Sequence, residues 1–171
     1  GMNRAMQESG PGRIGRMDGG FAGHLRVRRA GPGEMRAFAV LFEDAERRRW
    51  AAETLAAGRA LALVVERFAR RAWVAAGRIV TDAEGETAVA VDPGERGRGL
   101  AHEVLRAGIR VLREEPFTAL TARIGPGEVR AAKAFEKAGF APAGSCRFGD
   151  RPSMRYIRNL RGDCTPYNVW I

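Results

Sequence analysis

The chain is short of the residues that build metal centres, disulfide frameworks and membrane spans. Its 171 residues include only two cysteines and two histidines. These are His24, His102, Cys146 and Cys164, and they do not fall at ligand spacing, so no metal site is expected and the cysteines read as free thiols. No apolar run reaches the roughly 18 residues of a membrane span, and no apolar segment follows a basic start. Neither membrane insertion nor secretion is supported, and a cytoplasmic location is expected. There is no Gly-x-Ser-x-Gly elbow and no Ser/His/Asp arrangement, so hydrolase chemistry is not suggested. Lysine is scarce as well, present only as Lys133 and Lys137.

What is present is ordinary globular composition with a basic balance: 45% hydrophobic, 29% charged and a formal net charge of +9. A basic balance can serve nucleic acid, acidic lipid or a polyanionic cofactor. The arginines are dispersed, with short clusters at 26–29, 47–49 and 70–71 and no aromatic residues interleaved, so a nucleic-acid partner is not expected. The arginine-for-lysine skew fits codon preference better than a selected patch. The length fits one domain, placed at 24–160. Residues 1–23, rich in Gly, Arg and Ser, read as a disordered or loosely attached arm with an expression scar at Gly1. Residues 161–171 read as a polar and aromatic tail without an assigned role.

The most informative stretch is Thr87-Ala-Val-Ala-Val91, closed by Pro93-Gly94 and followed by Arg96-Gly-Arg-Gly99. The first part is a short strand. From Ala101, small and apolar residues recur at Val104, Leu105, Gly108, Ile109 and Leu112, one face of a helix. The turn between them carries Gly97 and Gly99, which let the backbone approach a ligand and aim N–H groups outward at the positive end of the helix dipole. Arg96 and Arg98 add forked donors. This is a site for phosphate or pyrophosphate, and it is not a P-loop, since no Gly-Lys-Ser/Thr follows. A second strand, Leu120–Ile124, leads into a turn, a helix through Phe135 and a glycine cap at Gly139.

The remaining elements are a strand at Leu25–Arg29 and a helix opened by Gly31-Pro-Gly-Glu34 with Met35, Phe38, Ala39 and Phe42 on one face. Glu43–Arg49 reads as a solvated helical segment. Strands follow at 60–66 and 71–80, joined through Arg67–Arg70, and a closing pair at 143–148 and 154–160 turns at Gly149–Pro152.

Two of these segments resemble a known family. Arg96-x-x-Gly99-x-Ala101 matches the Q/R-x-x-G-x-G/A acyl-CoA pyrophosphate signature of the GNAT N-acetyltransferases. Ala134-Phe-Glu-Lys-Ala-Gly-Phe140 resembles their "YEKLGF" segment at the right separation. The resemblance is specific from about Glu86 to Phe140. It implies an α/β (α+β) fold with a mixed, mostly antiparallel central sheet of six to seven strands. The sheet would be splayed between the fourth and fifth strands and carry helices on both faces. Acetyl-CoA is then the co-substrate, with pantetheine along the backbone of Val89, Ala90 and Val91 and pyrophosphate on the N–H groups from Gly97 through Arg98, Gly99 and Leu100 to Ala101. The family also makes dimers, which leaves a homodimer open.

The implied reaction is attack of a primary amine on the thioester within a ternary complex, with no metal. The resemblance implies Glu86 as the base, Glu84 in reserve, and a backbone N–H near Val89 as the oxyanion donor. Two positions depart from the pattern. The tyrosine often used as general acid is Phe135 here, which has no proton to give, so Tyr156, Ser145, Cys146 or solvent must protonate the thiolate. The asparagine that commonly opens the same helix is Glu128. Both are placed with the cofactor contacts, while Arg49 and Trp50 are candidate acceptor contacts. The acceptor implied is a small molecule such as an amino sugar or nucleotide-sugar. The alternatives are a non-catalytic acyl-CoA-binding module or a protein N-terminal acetyltransferase.

Overall fold

The computed structural model describes residues 17–18 and 24–161. The expected arm and tail, with Cys164, lie outside the described residues except for Met17–Asp18 and Arg161. Met17–Asp18 pairs antiparallel with His24–Leu25.

Seven further strands form two sheets. β1 (His24–Arg29), β2 (Leu61–Ala69), β3 (Ala72–Thr81) and β4 (Thr87–Val91) make an antiparallel meander. β5 (Ala119–Ile124), β6 (Ala141–Phe148) and β7 (Arg151–Asn159) make the second sheet, with β7 central. The sheets touch through one parallel bridge, Glu86 to Thr121, where the Thr121 N–H donates to the Gly85 carbonyl at 3.0 Å. Beyond that bridge β4 and β5 part, which is the splay expected between the fourth and fifth strands.

The β2–β3 connection differs from expectation. The strand runs on to Ala69, and the turn is Arg70-Arg71 with φ of 53° and 67°, the left-handed pair that a two-residue hairpin needs to match strand twist. The closing hairpin is also tighter than expected, turning at Gly149-Asp150 with Phe148 opposite Arg151. Pro152 sits inside β7, beyond the end of β5, whose pairing starts at Met154, so its missing N–H breaks no bond to that neighbour.

The helix expected after β1 is broken into α1 (Met35–Phe38) between 3-10 turns at Pro32–Glu34 and Ala39–Leu41. Phe38, Ala39 and Phe42 are still buried, and Met35 packs at their edge. α2 (Ala45–Ala56) is capped by Asp44, whose carboxylate accepts from the Arg47 N–H at 2.9 Å. Here the expectation of a solvated segment fails. Arg47 and Ala51, four residues apart on one helix face, are both buried.

α3 (Ala101–Leu112) and α4 (Val129–Lys137) cover the opposite face. Leu105 and Leu112 are fully buried, each contributing about 1.5–3 kcal/mol. α3 lies close on the sheet because a glycine stands on each side of the contact, Gly77 on β3 and Gly108 on the helix: a Cβ on Gly77 would stand 2.7 Å from Val104, and one on Gly108 would collide with Ile79. Gly139 caps α4 with φ 97°.

Candidate active site

The parity of β4 decides what the splay exposes. The Asp92 N–H bonds the Ala76 carbonyl at 2.9 Å, and Ala90 faces Arg78 in the ladder while Val91 faces Gly77. Peptide groups of Ala88 and Ala90 are thus spent on β3, and those of Val89 and Val91 point into the gap without a strand partner. Of the three backbone contacts expected, two are offered. Ala90, paired with Arg78, is buried in the core cluster that includes Phe38 and Phe42.

The gap opens into a cleft of about 600 Å³ running from the start of α3 to the α1–α2 loop. At its α3 end, Gly97 and Gly99 have φ of 84° and 69°, and a Cβ on either would meet nothing within 4 Å. Their requirement is conformational: the left-handed backbone turns successive N–H groups toward the cleft. Leu100 and Ala101 follow, and the helix begins without a side-chain cap, so its first N–H groups remain available to an anion.

The arginines expected to add charge there are used differently. Arg96 donates to the Val91 and Leu41 carbonyls, both at 2.9 Å, and pairs with Glu43 at 2.8 Å, which ties the turn to the α1–α2 loop. Arg98 pairs with Glu95, and Arg67 holds the same carboxylate through two bonds of 2.9 and 3.1 Å. The Arg67 bonds, opposed by burial and helped by Arg98, hold the Glu95 carboxyl below its usual range. Three further cations line the cleft wall from α4: Arg130, Lys133 and Lys137. Sequence reasoning missed them, although their helical spacing and the confinement of both lysines to α4 were visible signals.

The other end of the cleft is an ion cluster built on Phe148. The guanidiniums of Arg47, Arg123 and Arg151 lie 4.4, 4.6 and 5.5 Å from its ring centre. Arg47 bonds Glu128 at 2.8 Å, Arg151 bonds Asp44 at 2.6 Å, and Arg123 bonds Glu86 at 2.7 Å. Burial pushes the Arg47 guanidinium down from its ordinary value, with Glu128 and Asp44 opposing. Burial also pushes Asp44 up, but bonds from Arg151 and the Arg47 N–H outweigh it, leaving that carboxyl lowered.

The structure gathers Val89, Val91, Gly97, Gly99, Leu100, Ala101, Glu128 and Phe135 around one cleft. It leaves others outside. Glu86 sits before the cleft floor, its carboxylate on Arg123. Glu84 is exposed in the preceding turn. Arg49 is exposed and pairs with Glu46, and Trp50 packs against the α1–α2 core. Arg47, on the buried face of the same helix, is the residue that reaches the cleft. Tyr156 is buried in the main core, its hydroxyl raised by burial and by Glu136, and it does not line the cleft. Phe135 does, edge-on to Phe140 at 4.8 Å.

Among the described residues, no group of three or more His, Cys, Asp and Glu could hold a metal ion. No helix there is long and apolar enough to cross a membrane.

The fold is shared with solved acetyltransferases. A provisionally assigned phosphinothricin N-acetyltransferase superimposes with a TM-score of 0.61 at 20% identity, over 80% of this chain and 98% of that one. A mutant spermidine N-acetyltransferase from Vibrio cholerae gives 0.60 at 14%, over 84% and 98%. An aminoglycoside acetyltransferase in complex with coenzyme A and kanamycin gives 0.58 at 15%, over 79% and 94%. No curated protein matches by sequence. The acetyltransferase (GNAT) family model matches residues 29–140, more than half of the chain and the whole of the cleft from the α1–α2 loop to α4. With its parted parallel strands and glycine turn, the chain belongs to the GNAT acetyltransferase family, whose acyl donor is acetyl-CoA.

Proposed function

We propose that this enzyme transfers the acetyl group of acetyl-CoA to the primary amine of a small molecule, such as an amino sugar or a nucleotide-sugar, by direct attack in a ternary complex. The observation that carries the reading is the parting of β4 from β5, with the Val89 peptide and the Val91 N–H left without strand partners beside a cleft that leads to the α3 N-terminus. Pyrophosphate sits on the N–H groups of Gly97 to Ala101, with Arg130, Lys133 and Lys137 opposite. The pantetheine arm takes the Val89 and Val91 edge as an added strand would. The Val89 N–H is placed to stabilise the oxyanion.

The acceptor enters from the α1–α2 loop, against Asp44, Arg47 and Glu128. A cleft of about 600 Å³ suits a small acceptor alongside the coenzyme arm better than a protein chain end. The second reading, an acyl-CoA-binding module, is favoured by one observation: no tyrosine among the described residues lines the cleft. The coenzyme A thiol is acidic enough that its thiolate leaves without a dedicated acid, so this does not displace the enzyme reading.

Calorimetric titration of acetyl-CoA into the wild type and into Arg96→Ala/Gly99→Glu tests the donor site. Micromolar binding is expected in the wild type and none in the variant, whose fold circular dichroism verifies. Thiol release is then followed with kanamycin, spermidine and glucosamine as probe amines. Tight binding with no release from any of them supports the module, and no binding by folded wild type overturns both readings.

A further inference from the structure

We infer that Glu128, the residue standing where relatives carry an asparagine, is the proton acceptor for the attacking amine. The inference rests on the transferase reading above and goes beyond it by assigning the base.

Its carboxylate is held asymmetrically. Oε1 accepts from the Gly125 N–H at 2.8 Å, from Arg47 at 2.8 Å and from Arg151 at 3.4 Å. Oε2 accepts from no donor among the described residues and is not sealed from solvent. Three donors on one oxygen fix the group, and the other oxygen is left to the cleft that Glu128 lines. The remaining carboxylates of the site are spent. Both oxygens of Asp44 are bonded by Arg151, and one also by the Arg47 N–H. Both oxygens of Glu95 are bonded by Arg67. Glu86 is on Arg123 and off the cleft. Glu43 is 74% exposed at the rim.

Register places Glu128 at the reacting end. The bridge between Glu86 and Thr121 sets the two parallel strands level, so Val89 and Ile124 stand equally far beyond it. Glu128 is tied to Gly125, the residue that follows β5. Its carboxylate therefore stands across the gap from the Val89 N–H, where oxyanion and amine must meet. The charged groups facing it are Arg47 and Asp44 from the start of α2 and Arg151 from β7. β4 lines the cleft with Thr87 through Val91 and contributes no charged side chain there.

The step balances without another reactant. An ammonium acceptor first loses one proton to solvent. The neutral amine then forms the C–N bond to the thioester carbon, the C–S bond breaks, and sulfur leaves with the electron pair. The excess N–H proton passes to Oε2, and Glu128 returns it to the thiolate.

The test is the pH profile of Glu128→Gln, read as thiol release from acetyl-CoA with kanamycin, spermidine and glucosamine. At neutral pH, kcat/KM for the amine falls by about 10²-fold or more. The deficit shrinks as pH rises, because hydroxide takes over removal of the excess N–H proton that glutamine cannot accept. Since glutamine leaves Arg47 without its anion, acetyl-CoA affinity and circular dichroism are measured alongside and are expected to hold. Glu128→Asp, which keeps the charge and withdraws the oxygen, is expected to lower kcat while keeping the wild-type pH limb. A deficit equal at every pH, wild-type turnover in Glu128→Gln, or the pH signature appearing in Glu86→Gln instead would each overturn the assignment while leaving the transferase reading standing. Absence of release by wild type with every amine overturns both.

Discussion

Arg28 lies between two carboxylates, Glu34 at 2.8 Å and Glu66 at 3.0 Å. The hydrogen bonds from Arg28 hold the Glu34 carboxyl at about 2 against an ordinary 4.5, with burial opposing and the Gly31 N–H assisting. A carboxyl lowered by folding contributes fully above its unfolded value and loses that contribution as pH falls through the folded one. Stability is therefore expected to fall between about pH 4.5 and pH 2 as Glu34 is protonated, and the lowered Asp44 and Glu95 act in the same direction. Urea unfolding across that range reads it out. Arg28→Met is expected to flatten the acid limb, and an unchanged slope would show that the pairing contributes nothing. At the same scale, Arg47 illustrates what a residue list hides. Within Arg47-Arg48-Arg49 only the first is buried at the cleft, because only it shares the Ala51 face of α2.

The strand-turn-helix unit of β4 and α3 was legible because each of its signals is local. Proline and glycine end the strand, two glycines take left-handed φ, and an apolar face repeats with helical period. The close seat of α3 on the sheet was not legible, since it depends on Gly77, a strand residue that meets Val104 from another element. Gly77→Ala is expected to cost about 1–3 kcal/mol, measured as a lower urea midpoint at unchanged slope. A neutral result would mean that α3 shifts freely. The β2–β3 turn shows the opposite failure. Arg70-Arg71 contains no glycine or asparagine to announce left-handed backbone, so sequence placed the turn earlier, and sheet register overrode the local preference.

For the molecule as a whole, the splay means that two sheets share one backbone bridge and are held together mainly by the core beneath α3 and α4. A ligand that spans the gap binds only the folded arrangement. Acetyl-CoA at about 100 times its dissociation constant should add about 2.7 kcal/mol, a rise of several degrees in the unfolding midpoint by calorimetry, and Arg96→Ala/Gly99→Glu should abolish that rise. The sequence by itself determined the family, the glycine turn that opens α3, the parted strands and the residues at which the family pattern is broken, because those are contiguous or regularly spaced signals. Only the tertiary structure decided which charges pair with one another. Arg47 and Glu128 are separated by 81 positions, Glu86 and Arg123 by 37, and their pairing follows from sheet register and helix packing. The same packing gathers three donors on one oxygen of Glu128 and, among the described residues, none on the other, since burial makes each donor and acceptor find a partner from whatever element is adjacent.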